Sequence, residues 1–237
     1  LFSLLNKKNK FIFMDYFFKE HEAFIKYSSL LKKIKVNKND YVEVNFATQT
    51  YANKNKIINW KSNLSKGGGV VNIFFPHIID YLIWFFGPIK TIKCIVLKKR
   101  NRATVAECFI KFKSTIIAKI LVNSDNPRNK HLIQYNSKKC RITLKNSGTD
   151  YGKRFAIIYK KYKKNNKSKN TKILFNNKIE KFKGDSRILL TSRIVKLTKN
   201  GLFKKYQNRN LKRYHYNEKI LNYIKMSIKN NREIKVQ

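Results

Sequence analysis

Over residues 21–33 the apolar side chains Phe24, Tyr27, Leu30 and Leu31, followed by Ile34, recur at intervals of three and four. That spacing lines them along one stripe of an amphipathic helix. Over residues 41–48 the period shortens to two, with Val42, Val44 and Phe46 alternating with Glu43 and Asn45, as in a strand with one buried face. Residues 51–66 are polar, with Trp60 as their large anchor, and predict a loop. Gly67, Gly68 and Gly69 then introduce residues 70–86, an apolar run too long for an ordinary strand that closes on Gly87 and Pro88. A helix with a glycine stop is expected there.

Residues 91–98, 105–112, 116–123, 132–136 and 141–144 are short, β-branched and aromatic segments separated by polar turns, which predicts successive, mostly antiparallel strands. Residues 157–172 read as a charged helix end or a surface loop, and 173–182 as a further strand pair. Ile220, Leu221, Tyr223, Ile224 and Ile228 predict a last amphipathic helix over 218–230. At the other end, 1–5, 6–10 and 11–16 read as a helix tail, a loop and a strand, half of an α/β crossover. The pattern is already under way at Leu1, so the chain is expected to be a piece of a longer protein. The resulting fold class is α+β: an open-faced, largely antiparallel sheet with helices packed on one face.

Composition narrows the picture. With 237 residues, 42% apolar and 14% aromatic, the chain can bury a full core, which excludes disorder as its main state. Three cysteines without a C-x-x-C pair are too few for a disulfide framework or a cysteine-built zinc site; no metal site and a reducing cytoplasmic setting are expected. No apolar run approaches the roughly 20 residues that cross a bilayer, and residues 1–13 lack the order of a signal peptide. The net charge of +41, from 54 Lys and Arg against 13 Asp and Glu, invites a polyanion-binding reading. The 28 asparagines and the heavy use of Ile, Phe and Tyr point instead to A/T-rich coding, which explains both excesses, and the basic residues are spread along the whole chain. No specific nucleic-acid partner is expected.

The strongest chemical signal is the stretch from Gly67 to Asp80. Three glycines at a helix start let the backbone approach a ligand or another element closely. His77 and Asp80 fall on neighbouring faces of that helix, and Pro76 leaves the Asn72 carbonyl without its helical donor. Two readings of His77 stand side by side: a helix histidine packed among Phe74, Phe75 and Tyr81, or a group poised for proton transfer. Asp80 is expected to be structural, capping or pairing with a lysine.

Trp60, Gly67 to Gly69, Asn72, His77, Asp80 and the closing Trp84-Phe85-Phe86-Gly87 resemble the signature helix of the glucose-fructose oxidoreductase, inositol dehydrogenase and rhizopine catabolism family, the Gfo/Idh/MocA family. Residues 11–24 are similar to its last nucleotide-domain strand and the segment entering the second domain, 107–123 to its paired sheet strands, and 218–236 to its final helix. The resemblance implies residues 1–17 as the remnant of a dinucleotide-binding Rossmann domain and 18–237 as a substrate-binding and oligomerisation domain. It further implies an NAD(P)-dependent oxidoreductase acting on a sugar, nucleotide sugar or cyclitol, and a homo-oligomer formed through the sheet face. On the same basis His77 is the catalytic candidate, Asn72, Lys19 and Trp60 border the substrate, and Tyr16 and Lys19 border the NAD or NADP cofactor.

Departures from the family pattern accompany these likenesses. No G-x-G-x-x-G follows a strand, and the Glu-Lys-Pro lysine has no counterpart. Ile73 stands where the family usually carries an acid four positions before the histidine, Lys19 replaces an arginine, and Asp15 replaces a small residue. A histidine without a carboxylate one turn back lacks the partner that raises its pKa. A weakened relative serving as a scaffold or binding subunit is therefore the second reading, and a basic polyanion-binding protein the third.

Overall fold

The computed structural model describes residues 15–49, 51–57, 59–63, 66–99, 102–146, 154–162, 168–176, 181 and 186–237. The helix tail and strand expected over residues 1–14 lie outside them. A 3-10 turn, Phe17–Glu20, leads into helix α1, Glu22–Lys32, and strand β1, Tyr41–Gln49. A short helix α2, Tyr51–Lys54, and a 3-10 turn, Trp60–Ser62, precede the long helix α3, Val70–Phe86. Seven strands follow: β2 Ile89–Lys99, β3 Arg102–Phe112, β4 Ile117–Asn123, β5 Asp125–Asn136, β6 Cys140–Asn146, β7 Phe155–Tyr162 and β8 Ser168–Phe175. Helices α4, Ser186–Lys199, and α5, Phe203–Asn230, and the short strand β9, Ile234–Lys235, complete the described chain.

The strands form one sheet in the order β8-β7-β6-β5-β1-β4-β3-β2-β9. Every described pairing is antiparallel except β1 with β4, which runs parallel from Tyr41 opposite Ile117 to Ala47 opposite Asn123. Because side chains alternate across a pleat, one face collects Val42, Val44, Phe46, Ala106, Cys108, Ile110, Ala118, Ile120 and Val122, all buried. Helices α1, α3 and α5 cover that face, their apolar stripes meeting it in a single core that includes Phe24, Tyr27, Phe75, Ile78, Ile79, Leu82, Ile220 and Ile224. Each such large side chain contributes roughly 2 kcal/mol by leaving water. The opposite face is open, with Tyr41, Ile95, Leu97, Phe109, Ile117 and Leu121 all substantially exposed. This is the α+β arrangement the pattern predicts.

Four differences from the sequence reading have local causes. Residues 155–162 and 168–175 are paired strands, not a charged helix end or loop, because Phe155 and Ile157 face the core while the lysines project from the pleat. Helix α5 begins at Phe203, fifteen residues before the apolar stripe becomes obvious, because its first half buries Asn210 and Asn217 along the same line. Residues 51–66 are not one loop but hold α2 and the Trp60–Ser62 turn. Trp60 is not a buried anchor: the residue is 54% exposed, with the Lys61 ammonium over its ring at 5.7 Å. The cysteines Cys94, Cys108 and Cys140 are free and buried. Among the described residues no helix is long and apolar enough to cross a membrane.

Candidate functional site

Helix α3 positions the centre of the site, and its start is fixed by the glycines. Gly67 and Gly69 take positive φ, +77° and +91°, conformations that glycine adopts without strain. Gly68 lies so close to the preceding turn that a Cβ there would meet the Trp60 carbonyl oxygen at 2.2 Å and that of Lys61 at 2.5 Å. The Gly68 N–H donates to the Asn63 carbonyl and the Gly69 N–H to that of Lys61, both at 2.8 Å. The triplet therefore serves close approach to another element, and these two donors are already used. Asn72 completes the turn by donating from Nδ2 to the Gly68 carbonyl at 3.1 Å.

One and a half turns on, His77 meets the segment that precedes α1. Its ring packs against Tyr16, Phe17 and Phe18, with centroid separations of 6.2, 5.5 and 6.1 Å. Nδ1 is enclosed and has no hydrogen-bond partner. Burial pulls the imidazole pKa below its ordinary value, against the opposing pull of Asp15 and Asp80, so the ring is neutral at neutral pH.

Asp80, one turn beyond, is the electrostatic hub. It is 2% exposed and accepts a two-pronged pair of bonds from Nε and Nη2 of Arg213 on α5. Asn217 Nδ2 donates to it at 3.2 Å, and Lys19 Nζ lies 3.6 Å away. A carboxylate this far from water requires such compensation. Burial lowers the Lys19 amine to about 8 although Asp80 pulls it upward, and the same ammonium stands 5.4 Å from the centre of the Trp84 ring. The Arg213 guanidinium in turn covers the Tyr16 ring at 4.9 Å. Tyr16 is almost fully buried, and burial is the main reason its hydroxyl is pushed up to about 12.

The structure thus brings Tyr16, Lys19, His77 and Asp80 together and adds Arg213 and Asn217, which the sequence reading did not single out. Their signal was present: Asn210, Arg213 and Asn217 continue the line of Ile220, Leu221 and Ile224 toward the helix start, so polar groups occupy a stripe that should be apolar. Asn72 and Trp60 belong to the glycine turn, not to this cluster, and it is the Trp60 backbone that shapes the turn. Among the described residues no group of three or more His, Cys, Asp and Glu is placed to hold a metal ion.

Comparison with known proteins gives this arrangement a relationship. Residues 36–150 match the oxidoreductase family described by its C-terminal alpha/beta domain, Gfo/Idh/MocA. An uncharacterised oxidoreductase of Synechocystis sp. (strain ATCC 27184 / PCC 6803 / Kazusa) is 27% identical over 92 residues, 39% of this chain and 25% of that protein. Among solved structures, the aldose-aldose oxidoreductase from Caulobacter crescentus, complexed with glycerol, superposes with a TM-score of 0.74 at 9% identity, over 99% of this chain and 67% of that one. The WlbA dehydrogenase from Bordetella pertussis, in complex with NADH and UDP-GlcNAcA, gives 0.68 at 11% over 100% and 66%. KijD10, a 3-ketoreductase from Actinomadura kijaniata in complex with NADP, gives 0.66 at 8% over 90% and 61%. At such identities the structural likeness speaks for the fold, and the chain spans about two thirds or less of the proteins it resembles. Residues 36–150 thus match the C-terminal alpha/beta domain of the Gfo/Idh/MocA oxidoreductase family, and the chain shares its fold with the oxidoreductases named above.

Proposed function

We propose that this chain supplies the substrate-binding domain of an NAD(P)-dependent oxidoreductase acting on a hydroxyl of a sugar, nucleotide sugar or cyclitol. The observation that carries the reading is His77 Nδ1, a neutral, enclosed and unpartnered nitrogen turned toward the segment that enters the domain. A neutral imidazole can take the proton of a substrate hydroxyl as the carbon loses hydride, provided both events occur on one bound molecule. When bound, the nicotinamide supplies or receives that hydride. The Gly68 and Gly69 N–H groups are committed to the Asn63 and Lys61 carbonyls, so this turn is not a pyrophosphate cradle. Residues beyond those described hold most of the dinucleotide in this reading, with Tyr16 and Lys19 bordering its nicotinamide end.

The chemistry of the remaining residues follows from their contacts. Asp80 and Arg213 fix Lys19 and Tyr16 relative to α3, and Asn72 stiffens the turn from which α3 starts. A second copy is the proposed occupant of the open sheet face, by analogy with the family. Apolar Phe109, Ile117 and Leu97 are interspersed there with Glu107, bonded to Lys119 at 3.1 Å, and with Glu43; such a mixed face can pair with its own copy. The scaffold reading is favoured by one observation, Ile73, which packs against the core where an acid would orient the histidine. Turnover of a sugar panel by the full-length protein, followed by nicotinamide absorbance, separates the two. His77→Ala is expected to lower the rate by roughly 100-fold with cofactor binding intact. Unchanged turnover reduces His77 to packing, and cofactor binding without any turnover leaves the scaffold.

A further inference from the structure

We propose that Cys94 and Cys108 form a redox modification site, a dithiol on strands β2 and β3 that hydrogen peroxide closes to a reversible cross-strand disulfide once the end of α5 and strand β9 lift away. The two residues stand directly opposite each other in the β2–β3 pairing. The kind of pair they make follows from where their backbones point. The Cys94 N–H donates at 2.9 Å to Ser227 Oγ of α5, and Lys90, of the same parity on β2, accepts the Val236 N–H from the β9 side. On β3 the Thr104 carbonyl, of the same parity as Cys108, accepts the Ser124 N–H from the β4 side. Cys94 and Cys108 thus turn their backbone groups away from each other and are a non-hydrogen-bonded pair, in which facing Cα atoms approach to about 4.5 Å. A disulfide spans roughly 4.4–6.8 Å between Cα atoms. Both side chains point to the core face, 1% and 0% exposed, and the Cys94 thiol is within hydrogen-bonding reach of the Cys108 thiol. Cys140 has no part in the pair: it stands on β6, four strands from β3 in the sheet order, about 19 Å away at the spacing of neighbouring strands.

In the closed fold the pair is inert. Burial first, and then the contact with Cys94, holds the Cys108 thiol well above its ordinary pKa, whereas the reactive species is the thiolate. Oxidation therefore waits on a local opening, and the cover over Cys94 is a short one. Ser227 Oγ, which accepts the Cys94 N–H, donates to the Arg232 carbonyl at 2.6 Å. Beyond Arg232, β9 pairs with β2 through two residues, Ile234 opposite Ile92 and Lys235 opposite Thr91. A pairing of that length opens at far lower free energy than the sheet interior. Once exposed, one thiolate attacks the peroxide: an S–O bond forms, the O–O bond breaks, water leaves and a sulfenic acid remains. The facing thiol then displaces the sulfenic oxygen as a second water and the S–S bond forms. The two sulfurs lose two electrons to the peroxide, and both thiol protons end in the two waters.

The test is thiol counting and peptide mass mapping of the full chain before and after hydrogen peroxide. The unsubstituted chain is expected to lose two of its three thiols, to yield Cys94 joined to Cys108 with Cys140 free, and to recover all three with dithiothreitol. Ser227→Ala, which removes the bonds to Cys94 and Arg232 and leaves both thiols in place, is expected to form the bridge about tenfold faster, the worth of one hydrogen bond in the opening equilibrium. Cys140→Ala should form it at the parent's rate. A product on Cys140, or sulfinic acid in place of the bridge, overturns the proposal. So does a chain that keeps all three thiols at peroxide concentrations that exhaust free glutathione, and so does a bridging rate that follows global unfolding as urea is raised. An unchanged rate in a folded Ser227→Ala chain overturns the opening through α5 and β9, and the mapping of the unsubstituted chain decides the bridge itself without any variant.

Discussion

Asp80 illustrates how much of this site is decided by one buried charge. Removing a carboxylate that compensates two cations strands them away from water, and breaking a buried pair in this way costs several kcal/mol. Asp80→Ala is therefore expected to destabilise the chain by about 3 kcal/mol, measured as a lower urea midpoint at unchanged slope. The milder Asp80→Asn keeps the shape and loses the charge, so the Lys19 amine, now at about 8, should titrate lower still, because the upward pull of Asp80 is gone while burial and Arg213 still lower it. NMR of the lysine side chain reads that shift directly. An unmoved Lys19 midpoint means that the 3.6 Å approach to Asp80 has no energetic weight.

At the scale of elements, the turn before α3 is held by backbone contacts that a methyl group abolishes. Gly68→Ala would press Cβ into two carbonyl oxygens, and overpacking against rigid backbone costs about 2 kcal/mol or more. Loss of helicity and of thermal stability in that variant is the expected outcome, whereas a variant that melts like the parent shows that the turn can shift. The start and end of α3 were readable in the sequence because glycines and an uninterrupted apolar run mark them locally. His77 and Asp80 were readable for the same reason. Arg213 and Asn217 were not, since their roles depend on α5 crossing α3, a contact over 133 to 137 residues of chain that no local period encodes. Strands β7 and β8 were obscured differently: lysines on their solvent side mask the alternation that Phe155 and Ile157 carry.

The whole molecule carries its charge and its histidines in opposite ways. With +41 net charge it is expected to associate with DNA at low salt through electrostatic contacts, and such binding should vanish as salt rises. Sequence-dependent binding that persists at high salt, seen in a filter or mobility assay, contradicts this. His21 caps α1 by accepting the Ala23 N–H at Nδ1 and is buried, and burial lowers its pKa from 6.5 to about 4. The unfolded chain thus binds the proton more readily than the folded one between those values, so stability is fully present above pH 6.5 and falls as the pH drops toward 4. This site alone amounts to about 3 kcal/mol, and His77, lowered in the same direction, adds to it. His21→Asn keeps a capping acceptor that does not titrate and should flatten the acid side of the stability curve. An unchanged acid limb assigns the loss to other groups.

The parallel pairing of β1 with β4 has a consequence for how this protein is made. Strand β1 ends at Gln49, and the partners that flank it, Ile117 to Asn123 on one side and Asp125 to Asn136 on the other, emerge only after roughly 70 further residues. At the roughly 5–20 residues per second of synthesis, that gap lasts on the order of 4–14 s. During that time an alternating apolar strand has both edges unsatisfied, the state most open to capture by another chain. The nascent protein is therefore expected to lean on chaperones over that window more than its final stability suggests. Slowing translation between residues 50 and 116 should increase its aggregation, while slowing it after residue 136 should not.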